Sequence, residues 1–200
     1  MMTISYEYEG ALYVNLTNRC DCACVFCLRH NGHKGSIYAD NLWLEHEPSF
    51  EEVAAEFEKF DMNRYHEIVF CGFGEPTEAL DVLLKTAHFI KEHWEKPIRI
   101  NTNGLGNLIH GRDITPSFEG LIDTLSISLN TPDPQKYYWL VRPRFGEISH
   151  NAMLEFARNS KKYVPNVVLT TVSTTLTSDE EEQCRRICQD LGVTYRIRPF

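Results

Sequence analysis

Apolar and polar positions alternate along several short stretches. Over Ala11–Thr17, Leu12, Val14 and Leu16 alternate with Tyr13, Asn15 and Thr17, which predicts a strand with one apolar face. Similar stretches predict strands over Glu67–Phe70, Ile98–Asn101, Asn166–Thr171 and Thr194–Arg198, the last with Arg196 and Arg198 on its polar face. The clearest alternation is Thr124–Asn130, with Leu125, Ile127 and Leu129 on one side and Thr124, Ser126, Ser128 and Asn130 on the other. A buried parallel strand is ordinarily apolar on both faces. Hydroxyls and an amide along one face suit a strand that packs on helices outside and lines a polar cavity inside. An edge strand facing water is the competing reading.

Between these stretches the period lengthens to that of a helix. Ser49-Phe-Glu-Glu52 reads as a capping box, followed by the stripe Phe50, Val53, Ala54, Phe57 and Phe60. Residues 78–94 place Leu80, Leu83, Leu84, Ala87 and Ile90 inward, and Pro97 ends that segment. Residues 105–120 look irregular, with a short helix near Leu108. Residues 148–162 predict a helix with Met153, Leu154 and Ala157 on its apolar face. Ser178-Asp-Glu-Glu181 reads as a second capping box, opening a helix with Cys184, Ile187, Cys188 and Leu191 on one stripe and Gly192 at its end. Cys184 and Cys188 fit the buried stripe better than a second metal site. Six strands alternating with helices imply a parallel sheet with right-handed crossovers. The expected fold is α/β, an incomplete (β/α)6 TIM-type barrel in a single domain over residues 1–200.

The unusual chemistry lies at strand ends. Cys20-Asp-Cys-Ala-Cys24-Val-Phe-Cys27 follows the first strand, and without Cys22 it is C-x3-C-x2-C. A structural zinc site takes four ligands, normally as two separated pairs. Cubane iron–sulfur clusters are held by cysteine thiolates, ordinarily four. Three cysteines on one loop suggest a [4Fe–4S] cluster with one iron open to an outside ligand; a loop holding zinc or no metal is the alternative. Cys22 opens a second register, Cys20-x-Cys22. Cys71-Gly-Phe-Gly-Glu75-Pro76-Thr77 follows the second strand, with Cys71 read as a small buried residue. Asn101-Thr-Asn103-Gly104 follows the third, and Ser128 and Asn130 end the fourth. Active sites of (β/α) barrels lie at this end of the strands. Residues 28–48, with Gly32, Gly35, His30, His33 and Asp40, form a long loop, read either as solvated or as a lid. Arg142-Pro-Arg144 offers two guanidinium groups to a carboxylate or phosphate, or only to solvent.

C-x3-C-x2-C with Phe26 just before its last cysteine resembles the radical S-adenosylmethionine (SAM) superfamily, as does Gly72-Phe-Gly74-Glu75-Pro76 to its GGEP element. The resemblance covers nearly the whole chain and implies that Cys20, Cys24 and Cys27 hold a [4Fe–4S] cluster whose open iron is chelated by the amino and carboxylate groups of SAM. It implies reductive cleavage of SAM to methionine and a 5′-deoxyadenosyl radical that takes hydrogen from a substrate. Phe26 would pack near the adenine. Gly72, Gly74, Glu75 and Pro76 would orient the amino group, with Asn101 and Asn103 of the Thr-Asn-Gly element nearby. Ser128, with Ser126 and Asn130, would contact the carboxylate or ribose. Arg142, Arg144, Arg196 or Arg198 would anchor the substrate. A flavodoxin or ferredoxin is the expected electron donor. Leu12-Tyr-Val-Asn-Leu-Thr-Asn-Arg-Cys20 and Arg142-Pro-Arg-Phe-Gly146 are further similar to compact radical SAM proteins associated with TatD-type hydrolases, which implies a functional link to such a hydrolase.

Composition narrows the setting. With 42% hydrophobic and 24% charged residues, the 200-residue chain reads as an ordinary globular one. Four of seven cysteines lie within eight residues, poor geometry for a disulfide framework. The first residues show no signal peptide, so a reducing cytoplasm is expected. No apolar run is long enough for a membrane span. A net charge of −8 argues against a general nucleic-acid surface. The rival readings are a glycyl-radical activase of a partner protein and a non-catalytic metal- or partner-binding module.

Overall fold

The computed structural model describes residues 2–31 and 42–199, with only the backbone of residues 30 and 31. His33, Gly32, Gly35 and Asp40, and the side chain of His30, therefore lie outside the described residues. The chain divides into two compact units, residues 1–20 with 26–101 and residues 21–25 with 102–200.

The first unit begins with a hairpin of β1 (Ser5–Tyr8) and β2 (Ala11–Val14), paired antiparallel from Ser5↔Val14 to Tyr8↔Ala11. The two linking residues, Glu9 and Gly10, both have positive φ (48° and 77°), the two-residue turn that matches strand twist. β1 lies outside the expected alternation of strands and helices and brings the strands among the described residues to seven. β2 pairs parallel with β3 (Ile68–Phe70), and β3 with β4 (Ile98–Thr102). The rows Leu12–Ile68–Ile98 and Val14–Phe70–Ile100 are fully buried and share one face. The other face carries Tyr13, Val69 and Arg99, whose guanidinium binds Glu67 at 2.6 and 3.1 Å and donates to Asn101 Oδ1 at 3.0 Å.

Leu28–Asn31 forms a single turn, α1. The capping box at Ser49 is present, and α2 (Phe50–Phe57) buries Val53 and Phe57. It stops before Phe60, so the expected stripe is one turn too long. α3 (Leu80–His93) buries Leu80, Leu83, Ala87 and Ile90 as expected, with Thr86 in the place expected of Leu84.

In the second unit β5 (Thr124–Ser128), β6 (Asn166–Val172) and β7 (Thr194–Arg198) are parallel, with Ser128, Thr170 and Arg196 in one row. Leu125, Ile127 and Leu129 are fully buried. β5 stops two residues short of Asn130. Leu129 N and Asn130 N both donate to the carbonyl of Thr170, and Asn130 takes a left-handed φ of 63°, which an asparagine tolerates. The short helix near Leu108 is α4 (Gly106–His110). α5 (Pro134–Val141) has Asp133 as N-cap and Pro134 in its first turn. α6 (Ser149–Ser160) buries Met153, Phe156 and Ala157, whereas Leu154 stays half-buried. The second capping box is shifted by one residue: Thr177, not Ser178, caps α7 (Ser178–Leu191), with Glu180 as its partner. Thr-Ser-Asp-Glu-Glu satisfies the spacing in both registers, and the extended backbone of Thr177 (φ −75°, ψ 162°) selects the first. Cys184 and Cys188 are 0% and 2% exposed, core as expected.

Candidate metal and cofactor site

The chain enters the cysteine loop through a polar anchor within the first unit. Asn15 Nδ2 donates to the carbonyl of Leu42 at 2.8 Å. Asn18 exchanges two side-chain bonds with the backbone of Leu44, at 2.8 and 3.1 Å. Thr17 Oγ1 donates to Glu47, and Arg19 binds the same carboxylate at 2.6 and 3.0 Å. The returning segment 42–47 is thus fastened along the residues that precede Cys20. The sequence signal was the polar run Asn-x-Thr-Asn-Arg, which reads equally well as a solvated strand face.

The Gly-Phe-Gly-Glu-Pro turn seats on the same residues. Glu75 N donates to the carbonyl of Arg19 at 2.8 Å. A Cβ at Gly74 would lie 2.2 Å from the Thr17 carbonyl oxygen and 2.6 Å from that of Arg19, so only glycine allows this approach. Glu75 is buried, and its Oε1 accepts from Thr77 N at 3.1 Å and Thr77 Oγ1 at 2.8 Å. It caps the 3-10 turn Pro76–Ala79. Cys71 is half-buried rather than buried, and its carbonyl accepts from the Tyr6 hydroxyl at 3.3 Å.

Within the second unit residues 21–25 run beside 140–144, the last residues of α5 and the turn after it, and are joined to them by backbone hydrogen bonds. Val25 N donates to Leu140 O (2.9 Å), Ala23 N to Val141 O (3.1 Å) and Arg144 N to Asp21 O (2.7 Å), with a bridge between Cys22 and Pro143. Arg142 is therefore the left-handed C-cap of α5 (φ 48°), and Arg144 lies over the Phe145 ring. Both side chains are exposed. Asn103 Nδ2 donates to Asp21 Oδ1 at 2.7 Å and lies 3.5 Å from Cys22 Sγ. Burial raises the carboxyl of Asp21, against the opposing bond from Asn103. Hydrogen bonding from the Cys22 side chain holds the Cys24 thiol below its ordinary range, against the effect of burial.

The ligating atoms of three successive residues, Cys20, Asp21 and Cys22, lie within 4.8 Å of one another. Cys24 and Cys27, expected to join Cys20, are half-buried and outside that group. Cys22, left out of the expected ligand set, belongs to that group. Phe26 is half-buried between them. The Thr-Asn-Gly turn is ordered by its own side chains: Gly104 N donates to Thr102 Oγ1 at 3.0 Å and Leu105 N to Asn103 Oδ1 at 2.9 Å. Gly104 has φ +79°, and a Cβ there would meet Ile127 and Met153 at 2.7 and 2.8 Å. Ser126 is buried and accepts from Arg196 Nη2 at 3.2 Å. Ser128 is half-buried in the row of Thr170 and Arg196, Asn130 is buried, and Arg198 is half-buried two residues along β7. Asp21 was missed because a single acidic residue between cysteines reads as a solvated loop position.

Four thiols at i, i+2, i+4 and i+7, half-buried beside amide donors, are a soft donor set that fits an iron–sulfur cluster. Among the described residues no helix is long and apolar enough to cross a membrane. The family model described as the radical SAM superfamily matches residues 14–191. Among solved structures, Streptococcus suis SuiB bound to its precursor peptide SuiA is 16% identical, with 96% of this chain and 39% of that chain covered at a TM-score of 0.68. A radical SAM methyltransferase from Sphaerobacter thermophilus is also 16% identical, with 98% and 57% covered at 0.65. Native anSMEcpe with bound AdoMet is 16% identical, with 94% and 50% covered at 0.66. The chain thus spans about two fifths to three fifths of these proteins' length. At such identity the likeness shows the fold, the α/β incomplete TIM-type barrel. No curated protein matches the chain.

Proposed function

The chain belongs to the radical SAM superfamily, whose cofactors are a [4Fe–4S] cluster and SAM, and on that premise we propose that it cleaves SAM reductively and acts on a substrate by hydrogen abstraction. When bound, the cluster supplies the electron that splits SAM into methionine and a 5′-deoxyadenosyl radical. The observation that carries the reading is the cysteine loop itself: soft ligands on a segment pinned by backbone pairing and by Asn103, reached from a strand whose end is fastened to the Gly-Phe-Gly-Glu-Pro turn.

Cys20, Cys24 and Cys27 hold the cluster in this reading. The close-packed Gly72–Gly74 backbone offers peptide groups to the amino end of SAM, and the buried, capped Glu75 keeps that turn in place. Phe26 covers the adenine. Asn101, Asn103, Ser126, Ser128 and Asn130 supply polar contacts to the ribose and carboxylate. Arg196 and Arg198 share the Ser126 and Ser128 face of the second unit and offer guanidinium donors to an anionic group of the substrate. Arg142 and Arg144 extend that cationic character to the loop beside the cysteines. The chain acts as one domain, in a reducing cytoplasm, with flavodoxin or ferredoxin as donor. The Leu12–Cys20 and Arg142–Gly146 segments support a place among the TatD-associated radical SAM proteins.

The test is anaerobic reconstitution with iron and sulfide, reduction, an EPR spectrum with and without SAM, and an assay for 5′-deoxyadenosine. A cluster signal altered by SAM together with 5′-deoxyadenosine is the expected result. Bound zinc, or a cluster indifferent to SAM and no cleavage, overturns the reading in favour of a binding module.

A further inference from the structure

The loop carries one thiol more than the superfamily motif uses. Cys22 differs from the structural cysteines of this chain. Cys184 and Cys188 are buried in an apolar stripe, whereas Cys22 is half-buried among polar groups, 3.5 Å from an amide nitrogen of Asn103. Residues 21–25 are held to the end of α5 and the turn after it by backbone hydrogen bonds and the Cys22–Pro143 bridge. Cys22 and Cys24 are half-buried, while Ala23 and Val25 are exposed. The ligating atoms of Cys20 and Cys22 already lie within 4.8 Å. Pairing with Leu140–Arg144 and the bond from Asn103 to Asp21 hold this placement from both sides. Cys22 thus stands in sequence between two residues of the expected ligand set, with its sulfur close to that of one of them, Cys20.

We propose that Cys22 is a displaceable fourth ligand, which binds the iron left open by Cys20, Cys24 and Cys27 while SAM is absent and yields that position when SAM arrives. The proposal rests on the radical SAM reading. Four thiolates are the ordinary complement of a cubane cluster, and Cys22 supplies the one that Cys20, Cys24 and Cys27 leave wanting. The exchange is not a redox step. One iron–sulfur bond to Cys22 breaks, bonds from iron to the amino nitrogen and carboxylate oxygen of SAM form, and the proton given up by the ammonium group of SAM passes to the released thiolate. Asn103, with an N–H directed to this sulfur, steadies the thiolate until it is protonated.

The test is differential alkylation of wild-type protein. Anaerobically reconstituted chain, with loading verified by iron and sulfide analysis, is pulsed with iodoacetamide with and without SAM, and labelling is read by peptide mass spectrometry. In loaded protein without SAM, Cys22 is expected to be protected along with Cys20, Cys24 and Cys27. SAM is expected to raise labelling of Cys22 alone, by several-fold. Equal labelling of Cys22 in the two conditions, or slower labelling with SAM, overturns the proposal and leaves the radical SAM reading intact. Failure of the wild-type chain to take up iron and sulfide overturns that reading, and the proposal with it. In parallel, Cys22→Ala is expected to load iron but, without SAM, to convert faster to a three-iron EPR species on mild oxidation, and SAM is expected to suppress the difference. A Cys22→Ala protein that takes up no cluster makes Cys22 an obligatory ligand and overturns displaceability.

Discussion

Asn103 Nδ2 and Asp21 Oδ1 lie 2.7 Å apart, although the residues are separated by 82 positions in the chain. The orientation of the amide is set by its other end, where Oδ1 accepts the N–H of Leu105. The donor on the Thr-Asn-Gly turn therefore fastens a buried carboxylate inside the cysteine loop. Asn103→Ala removes a hydrogen bond to a buried charged group, and a loss of about 1.5–3 kcal/mol is expected. Thermal melting of the metal-free protein measures it. Asn103→Asp places a second carboxylate against Asp21 and should reduce iron retention more than Asn103→Ala does. An unchanged melting temperature in Asn103→Ala would show that the bond carries no stability.

Gly74→Ala is the second prediction. Its Cβ would meet two carbonyl oxygens, at 2.2 and 2.6 Å, and neither belongs to a side chain that can rotate away. Overpacking of this kind typically costs about 1–3 kcal/mol, and a rigid backbone neighbour puts the cost at the upper end. A melting curve would show the loss. SAM binding by equilibrium dialysis should fall with it, because the turn can yield only by moving away from the residues that precede Cys20.

The helix cysteines give a third. Burial pushes the thiols of Cys184 and Cys188 up to about 11 and about 12. In the native protein neither should react with a thiol reagent at neutral pH, while denaturation exposes both. Cys188→Ser should lower stability by about 1–3 kcal/mol through burial of a hydroxyl and leave the iron content after reconstitution unchanged. A drop in iron content would make these cysteines metal ligands instead.

The fourth concerns pH. His150 is buried, its ring is 5.2 Å from that of Tyr137, and its Nε2 donates to the carbonyl of Thr131 at 3.2 Å. Desolvation holds its pKa below the usual 6.5. Asp133 and the Thr131 carbonyl favour the charged form, but burial outweighs them. Below 6.5 the unfolded chain binds a proton at this histidine that the folded chain refuses, so stability falls as pH drops through that value and is fully present above it. Urea titrations between pH 7.5 and pH 5 are expected to show this decline, and His150→Leu to flatten it. A slope unchanged in the variant would assign the decline to other groups.

Several features were legible in the chain itself because their causes are local. The alternation at Leu125, Ile127 and Leu129 is a property of extended backbone, and those side chains are buried. The Ser49 capping box depends on atoms three residues apart. Cysteine spacing marked a soft metal site without reference to any other element. The turn at Glu9 and Gly10 was local as well, but its two residues signal a hairpin only once a strand is recognised before them.

Tertiary structure decided the rest. Thr177 and Ser178 are equally spaced from a glutamate, and only the path of the chain into α7 chose Thr177. Asn130 continues the alternation of β5, yet the shared Thr170 carbonyl ends the ladder and turns Asn130 left-handed. The Arg142-Pro-Arg144 segment reads as a free cationic loop, but its backbone is the rail along which residues 21–25 are laid. Nothing in an Asn-Gly dipeptide names a partner far along the chain. A period or a cap is written into neighbouring residues by covalent geometry. A bond such as that of Asn103 to Asp21 exists only because the fold brings one donor to one buried acceptor out of many that the sequence offers.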